Sequence, residues 1–319
     1  MLETHEEIGR AFVRYISTLS STEPGGDLVA CLSPIEKKVT LEMNANLLRV
    51  FTKKEVVEAL GQMSPLKAPG PNGFSVGFYQ NNWNMIGKEG SNVLLDTLNS
   101  GFINKELNST YIALIPKVKN LTRVTEFRPI SLCNVLYKLI SKTLANRLKI
   151  VLPKIISLNQ SAFIPGQLII DNILVAYETL HTMQARMWGK KGFIAIKLNM
   201  SKAYEMVEWE SLKAVMKRLG FARRWIQLLV MCVKMTNYAI IINEVPMGNF
   251  EATRGLLQRN PISQYLFFLC AEALSAMFMR ATSDGFLTGV PTSRRGPRIN
   301  HIFFADDSLF FCKANQQHW

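Results

Sequence analysis

Cysteine and histidine are scarce and scattered in this 319-residue chain. The five cysteines (Cys31, Cys133, Cys232, Cys270 and Cys312) lie far apart, and the four histidines do not cluster with them. That spacing speaks against a zinc site, and an odd, dispersed set of thiols points to reduced core cysteines rather than a disulfide framework. The sequence has no low-complexity tract and no internal repeat, so a disordered class is set aside. The opening residues MLETHEEIGR carry acids and no apolar core, so they do not read as a secretory signal. The most apolar stretch, Ile262–Met279, is interrupted by Ser263, Gln264, Glu272 and Ser275 and reads as a buried helix rather than a membrane span. Acids are also in deficit: 24 Asp and Glu against 37 Lys and Arg leave a formal net charge of +13. Such an excess favours a polyanionic partner, nucleic acid first.

What is present is a globular composition. Hydrophobic residues make up 48% and charged residues 19%, enough apolar material for a sizeable core in about two domains. Residues 1–60 carry helical patterning, with Ile8, Phe12 and Ile16 on one stripe and Thr52 placed to cap a helix with Glu55 as its capping-box partner. The segment Leu66–Phe74, LKAPGPNGF, is an irregular loop by its Pro and Gly content, and an Asn- and Gly-rich stretch follows to about Asn104. Tyr111–Lys117 reads as a strand closed by Pro116. A helix is expected where Val135, Leu139, Ile140, Leu144 and Leu148 recur at helical spacing, with Lys138, Lys142, Arg147 and Lys149 on its other face.

Further along, Phe193–Leu198 has the look of a buried strand. The residues after Asn199 read as a helix ending at Gly220. Tyr238–Ile242 and the segment after Asn243–Gly248 suggest a hairpin, and Asn260–Pro261 has the form of an N-cap followed by a first-turn proline. Finally, His301–Cys312 places two apolar runs around Ala305–Ser308, the pattern of a tight hairpin with Asp306 and Asp307 at its turn. Adjacent carboxylates at a hairpin tip suit divalent metal, and two-metal phosphoryl transfer needs carboxylates that hold two ions about 4 Å apart. A solvated turn explains a lone acid pair equally well.

Five blocks decide between these readings: LKAPGPNGF at 66–74, FRPISL at 127–132, KLNMSKAYEMVEW at 197–209, GLLQRNPISQYLF at 255–267 and FFADD at 303–307. In this order and approximate spacing they resemble the reverse transcriptase of plant LINE-type (non-LTR) retrotransposons, over roughly residues 50–319. The connecting segment QSAFIPGQLIIDNILVAYE at 160–178 is similar to plant members as well.

The resemblance implies an α+β right-hand polymerase with fingers and palm. The expected organisation is an N-terminal helical segment at 1–50, a fingers-like part at 51–190 and a palm at 191–319. An antiparallel palm sheet would contain Phe193–Leu198 and the 301–312 hairpin, backed by the helices after Asn199 and Pro261. The rest of the palm and the thumb of a family member would lie past Trp319. The implied activity is RNA-directed DNA polymerisation: extension of a DNA primer on an RNA template from dNTPs, with Mg²⁺. By the same resemblance, Asp306 and Asp307 match the paired metal-binding aspartates, and Asn199 falls on the third metal position, where the family has Asp. Tyr204 matches the aromatic gate under the sugar, Gly255 and Gln258 the loop beside the nascent base pair, and Lys117 and Arg128 the triphosphate contacts of the fingers. The family works inside the cell, in nucleus or cytoplasm, without a membrane, and oligomeric state is not legible.

This copy departs from the family pattern. Asn199 offers one neutral carbonyl oxygen where a carboxylate would bring a charge and two hard ligands. Three aspartates would set three negative charges against the four positive charges of two Mg²⁺ ions; here the site has two. Arg259 and Asn260 stand in a Gln-Gly-Asp-Pro loop, Arg259 bringing bulk where the family has Gly. Asn72 replaces Asp, Gln167 replaces Arg, and Glu205 replaces Asp. Two further readings compete with an impaired polymerase. One is a non-catalytic nucleic-acid-binding remnant using Lys138, Lys142 and the Arg294, Arg295, Arg298 cluster on phosphates. The other is a decayed open reading frame whose product folds poorly.

Overall fold

A computed structural model describes residues 4–23, 25–185, 192–234, 237–293 and 296–314. The chain runs α1 (His5–Leu19), α2 (Leu28–Leu32), α3 (Leu41–Leu48), α4 (Lys53–Gly61), α5 (Val76–Ser100), β1 (Ser109–Pro116), β2 (Phe127–Cys133), α6 (Val135–Ile155) and α7 (Ile169–Ala185). It continues with β3 (Phe193–Asn199), α8 (Trp209–Leu219), α9 (Arg223–Lys234), β4 (Asn237–Ile242), β5 (Val245–Glu251), α10 (Ser263–Ser283), β6 (Val290–Pro291), β7 (Arg298–Ile299), β8 (His301–Phe304) and β9 (Asp307–Lys313). Helices and strands are mixed, as the sequence indicates.

Local chemistry sets many of these boundaries. Thr4 with Glu7, and Thr52 with Glu55, form capping boxes at the starts of α1 and α4. Gly101 ends α5 and Gly220 ends α8, both in the left-handed conformation. The β4–β5 hairpin turns through Asn243 and Glu244, both at positive φ, so its second strand begins at Val245, earlier than the sequence pattern indicates.

One four-stranded sheet has the order β2-β1-β4-β5, with β1 antiparallel to β2 and parallel to β4. It therefore ties residues 109–133 to residues 237–251, far apart along the chain. A second sheet, β3-β9-β8, is antiparallel throughout. The large apolar core runs from Phe12 to Leu269 and engages most helices. A second, much smaller cluster of Ala176, Val290, Ile302 and Phe311 lies where α7 meets the second sheet.

Several sequence expectations are corrected. Residues 201–206 form turns and the helix begins only at Trp209. That helix, α8, packs on α10 and α9, while the second sheet is met by α7 and by Phe278 of α10, whose ring lies against His301 and Phe310. The strand β3 is half-exposed rather than buried, because it is the sheet's edge and pairs only with β9. Asn260 does not cap α10 directly: its side-chain oxygen accepts the Ile262 N–H at 3.2 Å, and the helix starts at Ser263. The helix α10 is long and apolar enough to cross a membrane by length and composition. In this fold it packs against α8 and α6, and its buried Glu272 accepts bonds from Lys38 Nζ at 2.6 Å and Ser157 N at 2.9 Å.

The polar face expected on α6 is largely internal. Arg147 is 4% exposed and donates to both Glu55 oxygens (2.8 and 3.0 Å) and to the carbonyls of Leu47, Arg49 and Val50, with its guanidinium over the Phe51 ring. Burial alone would raise the Glu55 carboxyl; the Arg147 guanidinium and the Thr52 bonds override it and hold it at about 2.

Candidate functional site

Strand register brings the acids and Asn199 together. Asn199, the last residue of β3, lies directly opposite Asp307, the first of β9. The β8–β9 connection is the two-residue turn Ala305–Asp306, with Ala305 in the left-handed conformation, and the Met200 N–H donates to the Asp306 carbonyl at 3.2 Å. So the sequence expectation of a hairpin with carboxylates at its tip matches the observed geometry, and residue 199 sits beside them.

The contacts of this tip are specific. The Asn199 Nδ2 donates to Asp307 Oδ1 at 3.2 Å. The amide must present its NH₂ group here, since its carbonyl facing a carboxylate would set two acceptors against each other. Lys197 Nζ stands 3.7 Å from the same Oδ1. One oxygen of Asp307 is thus approached by an amide donor and an ammonium. Among the described residues, no group of three or more His, Cys, Asp and Glu side chains converges as a metal cluster.

Asp306 is exposed and borders a cavity of about 550 Å³. The walls come from the end of α4, the 66–74 loop, β2, α6, the turns after β3 and the start of α10; Arg128, Tyr204 and Gln258 line it, as do Lys67, Lys142 and Arg259. The Tyr204 ring stacks on Phe267 at 5.0 Å, and burial, with the charges of Asp306 and Glu205, pushes its hydroxyl up to about 12. It is therefore a neutral, oriented ring at the cavity wall.

Gln258 is not free. Its Nε2 donates to Glu205 Oε1 at 2.6 Å, while the other Glu205 oxygen is buried with no hydrogen-bond partner among the described residues. Burial raises the Glu205 carboxyl despite Gln258, Lys117 and Lys202. Glu205 lines a smaller adjoining cleft and does not border the cavity with Asp306. Glu208 bonds to Arg254, so neither acid replaces the carboxylate missing at 199. Gly255 lies at φ +96°, where a Cβ would come within 2.9 Å of the Glu205 carbonyl. The close approach that needs glycine is thus to the chain's own backbone, and the Trp209 indole donates to the Gly255 carbonyl at 2.7 Å.

The basic residues separate into groups. Arg128 and Lys142 face the cavity. Lys117 does not border it; its ammonium donates to the Thr125 carbonyl at 3.1 Å. Lys138 is 6% exposed and donates to the Ala68 carbonyl at 2.9 Å, so this expected nucleic-acid contact is instead an internal brace for the 66–74 loop. Arg298 bonds the Gly289 carbonyl away from the cavity, and Arg294 and Arg295 lie outside the described residues. The loop is held further by Asn134, whose Oδ1 accepts the Asn72 N–H, and by Gly70, where a Cβ would strike the Cys133 and Asn134 backbone at 2.4 Å. Sequence reasoning left Lys67 without a role and read Arg259 only as bulk. Arg259 sits at φ +67°, a conformation that costs a non-glycine residue about 1–2 kcal/mol.

Comparison with known proteins adds the last finding. The family described as Reverse transcriptase (RNA-dependent DNA polymerase) matches residues 115–319, more than half of the chain. A Xenopus laevis protein, "Transposon TX1 uncharacterized 149 kDa protein", is 27% identical over 259 residues, covering 81% of this chain and 19% of that protein. The "Retrovirus-related Pol polyprotein from type-1 retrotransposable element R2" of Nasonia vitripennis is 23% identical over 301 residues, covering 93% of this chain and 28% of that protein. A plant relative, "Uncharacterized mitochondrial protein AtMg01250" of Arabidopsis thaliana, is 50% identical over 68 residues, 21% of this chain and 56% of that protein. The chain thus spans less than a third of the two large transposon proteins it matches.

Proposed function

The chain belongs to the reverse transcriptase (RNA-dependent DNA polymerase) family, and from that premise we propose that it is the polymerase part of a non-LTR retrotransposon protein, with its nucleotidyl-transfer centre impaired at Asn199. In this reading residues 51–190 act as fingers and 191–319 as palm, with 1–50 a helical lead-in. The cavity beside Asp306 receives the dNTP, with the template RNA and primer DNA approaching over it. Tyr204 presents a flat neutral ring to the sugar and would exclude a 2′-hydroxyl sterically. Arg128 faces the phosphates, and Gln258 lies in the wall beneath the base pair, on the loop that Gly255 seats against the Glu205 backbone.

The family's chemistry uses Mg²⁺, and the residues at this tip do not fit it. The carrying observation is the 3.2 Å bond from Asn199 Nδ2 to Asp307 Oδ1. A hard divalent cation competes with that donor for the oxygen and favours a third carboxylate. Here an amide donates to it and Lys197 stands 3.7 Å away. Loss of one ligand from a centre that contributes several kcal/mol to the transition state costs on the order of 10²-fold or more in rate.

The test is primer extension on an RNA template with dNTPs and Mg²⁺, comparing the chain as written with Asn199→Asp. Extension by the Asp form alone supports the reading. Equal extension by both forms shows that the third carboxylate is dispensable. If neither extends a primer that both bind, the non-catalytic binding reading takes its place.

A further inference from the structure

We propose that the cavity beside Asp306 binds a polyphosphate chain without a divalent cation, the positive charge being supplied by Lys67, Arg128, Lys142 and Arg259. The proposal rests on the reading of this cavity as the nucleotide site, and departs from it in what neutralises the phosphates.

Four cationic side chains from four segments line one cavity of about 550 Å³, against the single carboxylate of Asp306. That volume lies within the usual range for small-ligand sites. None of the four side chains makes a hydrogen bond or ion pair with a described residue, whereas Arg147, Arg254 and Lys38 elsewhere in the fold are all bonded. Like charges left unpaired around one cavity repel, and an anion seated among them removes that repulsion. Burial lowers the pKa of the Lys142 ammonium, and the nearby charges of Lys149 and Lys67 lower it further, against a smaller opposing pull from the Glu58 carboxylate.

The carriers are also well placed. Lys67 stands on a loop pinned by Lys138 to the Ala68 carbonyl and by Asn134 to Asn72 N. Arg259 is held in a left-handed turn where glycine would be relaxed, which makes its side chain the feature to explain. Meanwhile the strand tip has turned Asp307 toward Asn199 and Lys197. In this proposal the charge that a pair of metal ions would bring comes instead from the basic residues lining the cavity.

The test is isothermal titration of the whole chain with dTTP, inorganic tripolyphosphate and thymidine, each in EDTA and in Mg²⁺. The expected result is binding of dTTP and tripolyphosphate in EDTA, no binding of thymidine, and little gain from Mg²⁺. A dTTP affinity well above that of tripolyphosphate would identify the nucleotide as the source of the phosphates; equal affinities would identify the inorganic chain. Arg259→Gly, which suits the left-handed backbone and should keep or raise the melting temperature, and Lys142→Gln should each weaken dTTP binding in EDTA about tenfold or more. Binding only in Mg²⁺ would overturn the proposal and leave the nucleotide-site reading standing. No dTTP binding in either buffer would overturn both. Unchanged affinity in both variants, or binding of a single-stranded RNA oligonucleotide but of neither phosphate probe, would also overturn it.

Discussion

Glu55 and Asp307 are both met by nitrogen donors from neighbouring elements, and their surroundings are opposite. Glu55 is largely buried between α4 and α6, and the Arg147 guanidinium grips both of its oxygens while spending its remaining donors on backbone carbonyls. Asp307 lies at the open end of two strands, with a single amide bond from Asn199 and a loose approach from Lys197. The first arrangement is over-determined, so removing one partner strands a buried charge. The second is under-determined, so its partners can change at little structural cost. A site of the second kind can lose a carboxylate while the fold around it persists, which is the state proposed for residue 199.

The comparison breaks most visibly in stability. Arg147→Ala should cost about 3–5 kcal/mol, read as a fall in the urea midpoint, because it leaves Glu55 uncompensated. Asn199→Ala, at exposed strand ends, should change it by no more than about 0.5 kcal/mol. Comparable losses in the two variants would remove the distinction. A smaller effect should follow acid titration. The folded-state pKa of Glu55 is depressed from 4.5 to about 2. Its contribution is therefore present above 4.5 and lost as pH falls toward about 2. Urea unfolding across that window should show the decline in the chain as written and a flatter profile in Arg147→Ala.

Residue chemistry made the outer marks of this fold legible. The Thr52–Glu55 capping box, the strand expected at Tyr111–Lys117 and the acid-tipped hairpin each rest on a few neighbouring side chains, and each is present, the strand running Ser109–Pro116. What escaped depends on distant packing. The stretch after residue 75, rich in Asn and Gly, is the 25-residue helix α5. Its Gly87 is needed because a Cβ there would lie 2.7 Å from the Trp83 indole, and its buried Val76, Tyr79, Leu94 and Leu98 carry the apolar side. Likewise Lys138 and Arg147 look like a solvated face until α4 and the 66–74 loop are seen to cover them. Within the site, adjacency along the chain found Asp306 and Asp307. Only the register of β3 against β9 puts Asn199 on Asp307, and only the closure of four segments around one cavity gives Lys67 and Arg259 a place together.

The most direct test of the impaired centre is a thermal melt in EDTA and in Mg²⁺, for the chain as written and for Asn199→Asp. The account predicts that Mg²⁺ leaves the chain as written unmoved. Asn199→Asp should melt lower in EDTA, where three carboxylates repel, and recover in Mg²⁺, with the recovery abolished by adding Asp307→Asn. An equal Mg²⁺-dependent rise in the chain as written, also abolished by Asp307→Asn, would contradict it.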